Sequence, residues 1–247
     1  MTLSFETGEL VLVGRLRSAS NATFLATVDG LEVVYKPVAG ERPLWDFPDE
    51  TLAAREVAAY VVSEALDWHV VPPTILRDGP HGPGMVQAWQ EPDPDQDAVD
   101  LVRPDQIPAG YLHVLDALDQ HERPIALVHE DTTALRRMAI FDLLVNNADR
   151  KGGHVLAMAD GHRFGVDHGV TFHSDPKLRT VLWGWAALPL ADEETSAVRS
   201  LDVFDALREL ISAREVDAFE ARRQALLADP RFPVPSGEWP AIPWPAF

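Results

Sequence analysis

The chain reads as an α+β fold in two parts: a small antiparallel sheet with one helix over residues 1–90, and a mostly helical part over 99–229. Three observations predict it. Strand-like runs at 9–17, 24–28 and 31–36 precede the first helical pattern, and Asp29-Gly30 between the last two is a hairpin dipeptide. The acidic, proline-rich run Glu91-Pro92-Asp93-Pro94-Asp95 then breaks the chain, so residues 91–98 read as a linker. Beyond it, helical spacing dominates, and a second Asp-Gly hairpin interrupts it at Asp160-Gly161.

Taken in order, Glu9 to Arg17 alternates as a strand and ends at Ser18-Ala19-Ser20-Asn21-Ala22-Thr23. A loop of small hydroxyl residues brings backbone N–H groups and side-chain hydroxyls close to a phosphate, which makes Ser18, Ser20 and Asn21 candidates. Phe24 to Val28 and Leu31 to Lys36 complete a meander, and Pro37 keeps Lys36 extended. Pro48-Asp49-Glu50 opens a helix through Leu66, with acids in its first turn as the macrodipole prefers. Within it Glu56 follows Leu52 by four residues and precedes Ala59 and Tyr60, so its carboxylate falls on an apolar stripe. A buried unpaired carboxylate costs several kcal/mol, and Lys36 is its natural partner. His69 to Arg77 and Gly84 to Trp89 read as two more strands around the turn at Asp78 to Pro83.

In the second part, helices are expected at Tyr111–Asp119, Asp131–Asn146, Glu193–Ser212 and Arg214–Leu227. The second is central, because Leu135, Met138, Phe141 and Val145 share one face and Ile140, Leu143 and Leu144 cover much of the rest. It ends in Asn146-Asn147-Ala148-Asp149-Arg150-Lys151-Gly152-Gly153-His154, a polar run between an apolar helix and an apolar strand. A two-residue turn at Asp160-Gly161 pairs Ala159 with His162 and, counting outward, His154 with Asp167. An imidazole and the carboxylates of Asp149 and Asp167 therefore converge. The tail, 230–247, rich in proline and carrying Trp239 and Trp244, is expected to pack along the body.

Composition excludes several classes. The 247 residues are 46% hydrophobic, enough for a good core. No apolar run spans a bilayer and no signal peptide is evident, and with zero Cys the expectation is a cytoplasmic monomer without disulfides or thiolate zinc. A net charge of −18 opposes nucleic acid and anionic lipid alike. Of the 21 basic residues only Lys36, Lys151 and Lys177 are lysines, which marks them as places where a compact ammonium is wanted.

The order Asp149-Arg150-Lys151, then His154, then Asp167-His168-Gly169 resembles the catalytic loop and metal-binding hairpin of the protein-kinase-like superfamily. It is most similar to the small bacterial proteins classed as phosphatidylinositol 3-/4-kinase-like. The resemblance implies a two-lobed protein-kinase-like fold and transfer of the γ-phosphoryl of ATP to a hydroxyl acceptor, and the net charge of −18 makes a protein or soluble small molecule the expected acceptor rather than lipid. It casts Asp149, Lys151 and Asp167 as catalytic. It assigns Lys36, Glu56, the Ser18/Ser20/Asn21 loop, Gln87 and Trp89 to ATP, with Met85 to Trp89 reaching the hinge. Asp167 and His154 would hold Mg2+ or Mn2+, and Arg150 would brace the loop. Lys177 and Arg179 would face the acceptor or lie on a surface loop. The sequence departs from the family pattern at His154 for Asn, at His168 for Phe, and in lacking G-x-G-x-x-G. An ATP-binding pseudokinase and a nucleotidyl transferase on the same fold stay open as alternatives. A metal-dependent hydrolase lacks H-E-x-x-H, and neither G-x-S-x-G nor a P-loop is present.

Overall fold

A computed structural model of the chain describes residues 5–16, 21–237 and 239–247. The front sheet has five antiparallel strands in the order β1-β2-β3-β5-β4, with β1 at Leu10–Arg15, β2 at Phe24–Val28, β3 at Leu31–Pro37, β4 at Thr74–Gly79 and β5 at Gly82–Ala88. Asp29 and Gly30 both take positive φ (50° and 84°), the geometry of a two-residue turn matched to strand twist. One face closes a small core of Leu10, Ala26, Val28, Val33, Tyr35 and Val86. Lys36 follows Tyr35 and so points to the other face, where α1 (Leu52–Ala65) lies against β4 and β5.

The expected acids are not in the first turn of α1. The helix starts at Leu52 after Thr51, and its free N–H groups at Leu52 and Ala53 are bonded instead by the carboxylate of Glu41, at 3.1 and 2.8 Å. Asp49 and Glu50 precede the helix, and Glu50 turns the chain with φ 62°. Ala58, Ala59 and Val62 of α1, with Leu66 just after it, join the large core of the second half, so this helix ties the two parts together.

The second half is less helical than expected. A three-stranded antiparallel sheet opens it, β6 (Val99–Val102), β7 (Tyr111–Leu118) and β8 (Pro124–Glu130) in the order β6-β8-β7. The helix expected at Tyr111–Asp119 is β7. A register shift between His113 and Leu115 places exposed His113 and Asp116 three residues apart, a spacing that imitates a helix.

The central helix, α2, runs Thr133–Val145. Thr132 caps its N-terminus, and Asn146 ends it in the left-handed region. Leu135, Met138, Phe141 and Val145 are all fully buried. The long helix expected at Glu193–Ser212 divides into α3 (Asp192–Ser200) and α4 (Phe204–Arg208), because the extended segment between them alternates and buries both Leu201 and Val203. The last helix, α5, is Ala213–Ala228. The tail packs along the body through Thr180 and Trp183, which both donate to the carbonyl of Ala241, and Gly152, which donates to Ala246. Trp244 departs from that expectation and is 89% exposed. No described helix is long and apolar enough to cross a membrane.

Candidate active site

The hairpin after the polar run consists of β9 (Val155–Ala157) and β10 (Arg163–Gly165). Its register is one residue away from that expected. Ala157 pairs with Arg163 and Val155 with Gly165, and Met158 donates to the His162 carbonyl at 3.0 Å. The turn therefore has three residues, Ala159-Asp160-Gly161, and closes on Gly161 at φ 90°. His154 faces Val166 in the ladder, since the Val166 N–H donates to its carbonyl. Asp167 meets His154 by another route: its φ of 62° turns the chain out of the strand and brings Oδ2 to 3.5 Å from His154 Nε2.

From the opposite side comes Lys36. Its Nζ lies 2.6 Å from Glu56 Oε1 and 2.8 Å from Asp167 Oδ1, joining β3, α1 and the segment after β10. Burial alone would lower the ammonium's pKa, but Asp167 and Glu56 outweigh it and hold it above its ordinary value. In turn Lys36 holds Asp167, whose side chain is half exposed, below the usual carboxylate range. Glu56 is 2% exposed, and its second oxygen accepts the His168 backbone N–H at 2.8 Å. One buried carboxylate thus fixes both the lysine and the chain beside Asp167.

Under the polar run lies Arg150, fully buried. It grips Asp142 of α2 through Nε and Nη2, both at 2.8 Å, and donates to the carbonyls of His154 and Val166. Asp142 also receives Asn147 Nδ2, while Asn147 Oδ1 accepts the Asp149 N–H. Arg150 therefore braces the loop from below while Asp149 and Lys151 stay partly open, with their charged groups 3.4 Å apart. Arg150 Nη2 also donates to His168 Nε2 at 2.7 Å, which puts the ring proton on Nδ1. Burial holds His168 neutral, and the ring packs edge-on against Phe141, an aromatic contact at the position where the resemblance expects Phe.

His154 has a defined tautomer. Nδ1 donates to the Asp149 carbonyl at 2.9 Å, leaving the Nε2 lone pair beside Asp167, and burial keeps the ring's pKa below its ordinary value. A carboxylate oxygen next to a neutral imidazole nitrogen suits a divalent ion. Among the described residues no group of three or more His, Asp or Glu side chains forms a metal cage.

Lys36 meets Glu56 and Asp167, Asp167 meets His154, and Asp149 and Lys151 pair with each other beside the His154 ring. Other expectations change. Ser18 and Ser20 lie outside the described residues. Asn21 Oδ1 accepts the Arg42 N–H and ties its loop to the turn after β3. Gln87 is 4% exposed and its side chain donates to Thr74 Oγ1 at 2.8 Å, bracing the sheet and leaving only its backbone for the hinge contact that the resemblance implies. Trp89 spends its indole N–H on Glu91 and its backbone N–H on the Glu32 carbonyl. Lys177 is buried against Asp46 and sits over the rings of Trp45 and Trp239, unavailable to an anionic acceptor. Arg179 donates to the Ala148 carbonyl at 2.6 Å. Sequence reasoning missed Asp142, whose signal was a lone acid inside the apolar run of α2. It also missed Ala246 and Phe247 against Gly152, for which no local signal exists.

No family model matches the chain. Protein Rv2133c of Mycobacterium tuberculosis is 51% identical over 259 residues, covering 97% of this chain and 93% of that protein. Phosphatidylinositol 4-kinase gamma 6 and gamma 7 of Arabidopsis thaliana are 30% and 29% identical over 165 and 159 residues, 60% of this chain in each case. The chain spans about a quarter of the length of those two, 25% and 24%. A crystal structure of the Helicobacter pylori proinflammatory kinase CtkA aligns over 91% of this chain and 93% of its own with a TM-score of 0.46 and 10% identity.

Proposed function

We propose that this chain, which belongs to the family of Protein Rv2133c, is an ATP-dependent phosphotransferase of the protein-kinase-like superfamily. The observation that carries the reading is the lysine of β3 in contact with both the helix carboxylate and Asp167, the latter 131 residues away in sequence. The two plant phosphatidylinositol 4-kinases add to it. A net charge of −18 favours a protein or a soluble small molecule as acceptor over an anionic lipid surface.

In this reading Lys36, held by Glu56, binds the α- and β-phosphates. A divalent ion bound at Asp167 and the His154 Nε2 lone pair would neutralise phosphate charge. The acceptor hydroxyl oxygen bonds to the γ-phosphorus as the bond to the β,γ-bridging oxygen breaks. ADP leaves, and the hydroxyl proton passes to the Asp149 carboxylate. Lys151, 3.4 Å from that carboxylate, offsets negative charge on the transferring group. Arg150 keeps the loop in register from beneath.

The test is incubation with ATP and Mg2+ or Mn2+ in a cytosolic extract, followed by mass spectrometry of what gains mass. Added phosphate that depends on Asp149 supports the reading, with Asp149→Ala abolishing transfer and sparing nucleotide binding. Added AMP would identify a nucleotidyl transferase instead.

A further inference from the structure

Between α5, the last turn of α2 and residues 229–234 lies an open groove of about 820 Å3, within the size range of small-molecule sites. None of Lys36, Glu56, Asp149 or Asp167 lines it. Ala218, Ala221 and Ala225 share one face of α5, and their short side chains make a shallow floor. Leu143, Leu226 and Phe232 contribute to the walls.

Two cations, Arg222 and Arg231, interrupt this largely apolar lining. Arg222, on the same face of α5, donates through Nε to the Leu144 carbonyl at 3.0 Å and through Nη1 to the His173 carbonyl at 3.2 Å. Its Nη2 is buried and bonded to nothing. The carboxylate that acts on it through space, Glu215, is committed to Arg55 and Ser212. Burial without a counter-ion lowers the guanidinium to about 10. Asp229 and Arg231, which also line the groove, neutralise each other at 2.6 Å. A half-buried cation with one unbonded nitrogen, in the wall of a largely apolar groove, calls for an anion. With Nε and Nη1 both occupied, neither paired edge of the guanidinium is free, so Nη2 is left to make one charge-assisted hydrogen bond, which suits a head carrying a single negative charge.

We propose that this groove binds a small amphipathic carboxylate, with its hydrocarbon body along the alanine floor and its head on Arg222. The ligand would seat against the end of α2, beside the Asn146 cap from which the polar loop departs.

Calorimetric titration of the full chain with decanoate and with 1-decanol tests this. Decanoate should saturate near one per chain and bind at least tenfold more tightly than the alcohol, about 1.4 kcal/mol. Arg222→Met should remove that preference, and Ala221→Leu, which fills the groove, should weaken both ligands. Decanoate that never saturates, equal affinities for the two ligands, or a preference that survives Arg222→Met overturns the proposal. If Arg222→Met does not fold, Ala221→Leu decides, and full-strength decanoate binding in that variant overturns the proposal.

Discussion

Arg55 of α1 donates to Glu215 of α5 at 2.5 Å, across 160 residues of sequence, in a pair whose side chains are 1% and 10% exposed. Arg55 also donates to the Thr171 carbonyl, four residues beyond Asp167. The helix that carries Glu56 is therefore anchored to the second half of the chain by the residue next to it.

Breaking one side of that pair leaves a buried guanidinium unpaired, at a cost of about 3–5 kcal/mol. Glu215→Ala should lower the free energy of unfolding in urea by that order, and Glu215→Gln by less. A loss under about 1 kcal/mol for Glu215→Ala would show that the anchor carries no weight.

Asp142 and Arg150 are both fully buried, and neutralising the acid removes the counter-ion beneath the loop. Asp142→Asn should cost about 3–5 kcal/mol of stability. Arg150→Lys should not restore the loop, since one ammonium cannot reproduce the fork that reaches Asp142, two carbonyls and His168. Denaturant midpoints for the two variants check this, and a near-native midpoint for Arg150→Lys would contradict it.

A Cβ on Gly152 would collide with the Phe247 ring. Gly152→Ala should therefore cost about 1–3 kcal/mol by overpacking, and Phe247→Ala in the same chain should return most of that loss. Thermal unfolding of the two single variants and the double variant reads the coupling. Strictly additive losses would contradict the contact.

Burial holds His129 below its ordinary pKa, against the raising effect of the Glu130 carbonyl it bonds. Its Nε2 accepts the Gly184 N–H at 2.9 Å, a bond that protonation destroys. The unfolded chain takes up this proton more readily than the folded one, so the stabilisation is complete above about pH 6.5 and is lost as pH falls below it. His129→Gln should give a shallower decline in stability between pH 7.5 and 5.5 than the unaltered protein. An unchanged slope would contradict this assignment.

Much of the site was legible because it depends on local rules. Glu56 on an apolar stripe demanded a cation, and Lys36 at the end of a strand supplied it. Asp160-Gly161 marked the hairpin itself, though not its register. The failures share a cause, which is that tertiary geometry overrode spacing. The third residue in the hairpin turn shifted its register, and the left-handed φ of Asp167 recovered the contact. The bulge in β7 imitated a helix and hid the second sheet. Lys177 stood at a position that suggested a ligand, yet Asp46 engages it from 131 residues away.

Calorimetric titration of ATP with Mg2+ into the unaltered chain and into Lys36→Met asks whether Lys36 and Asp167 line one nucleotide-binding cleft. Binding should saturate near one ATP per chain and weaken about 10- to 100-fold in a Lys36→Met protein that still unfolds cooperatively, as the loss of charge-assisted hydrogen bonds worth about 1.5–3 kcal/mol requires. No binding to the unaltered chain, or equal affinity in both proteins, would contradict it.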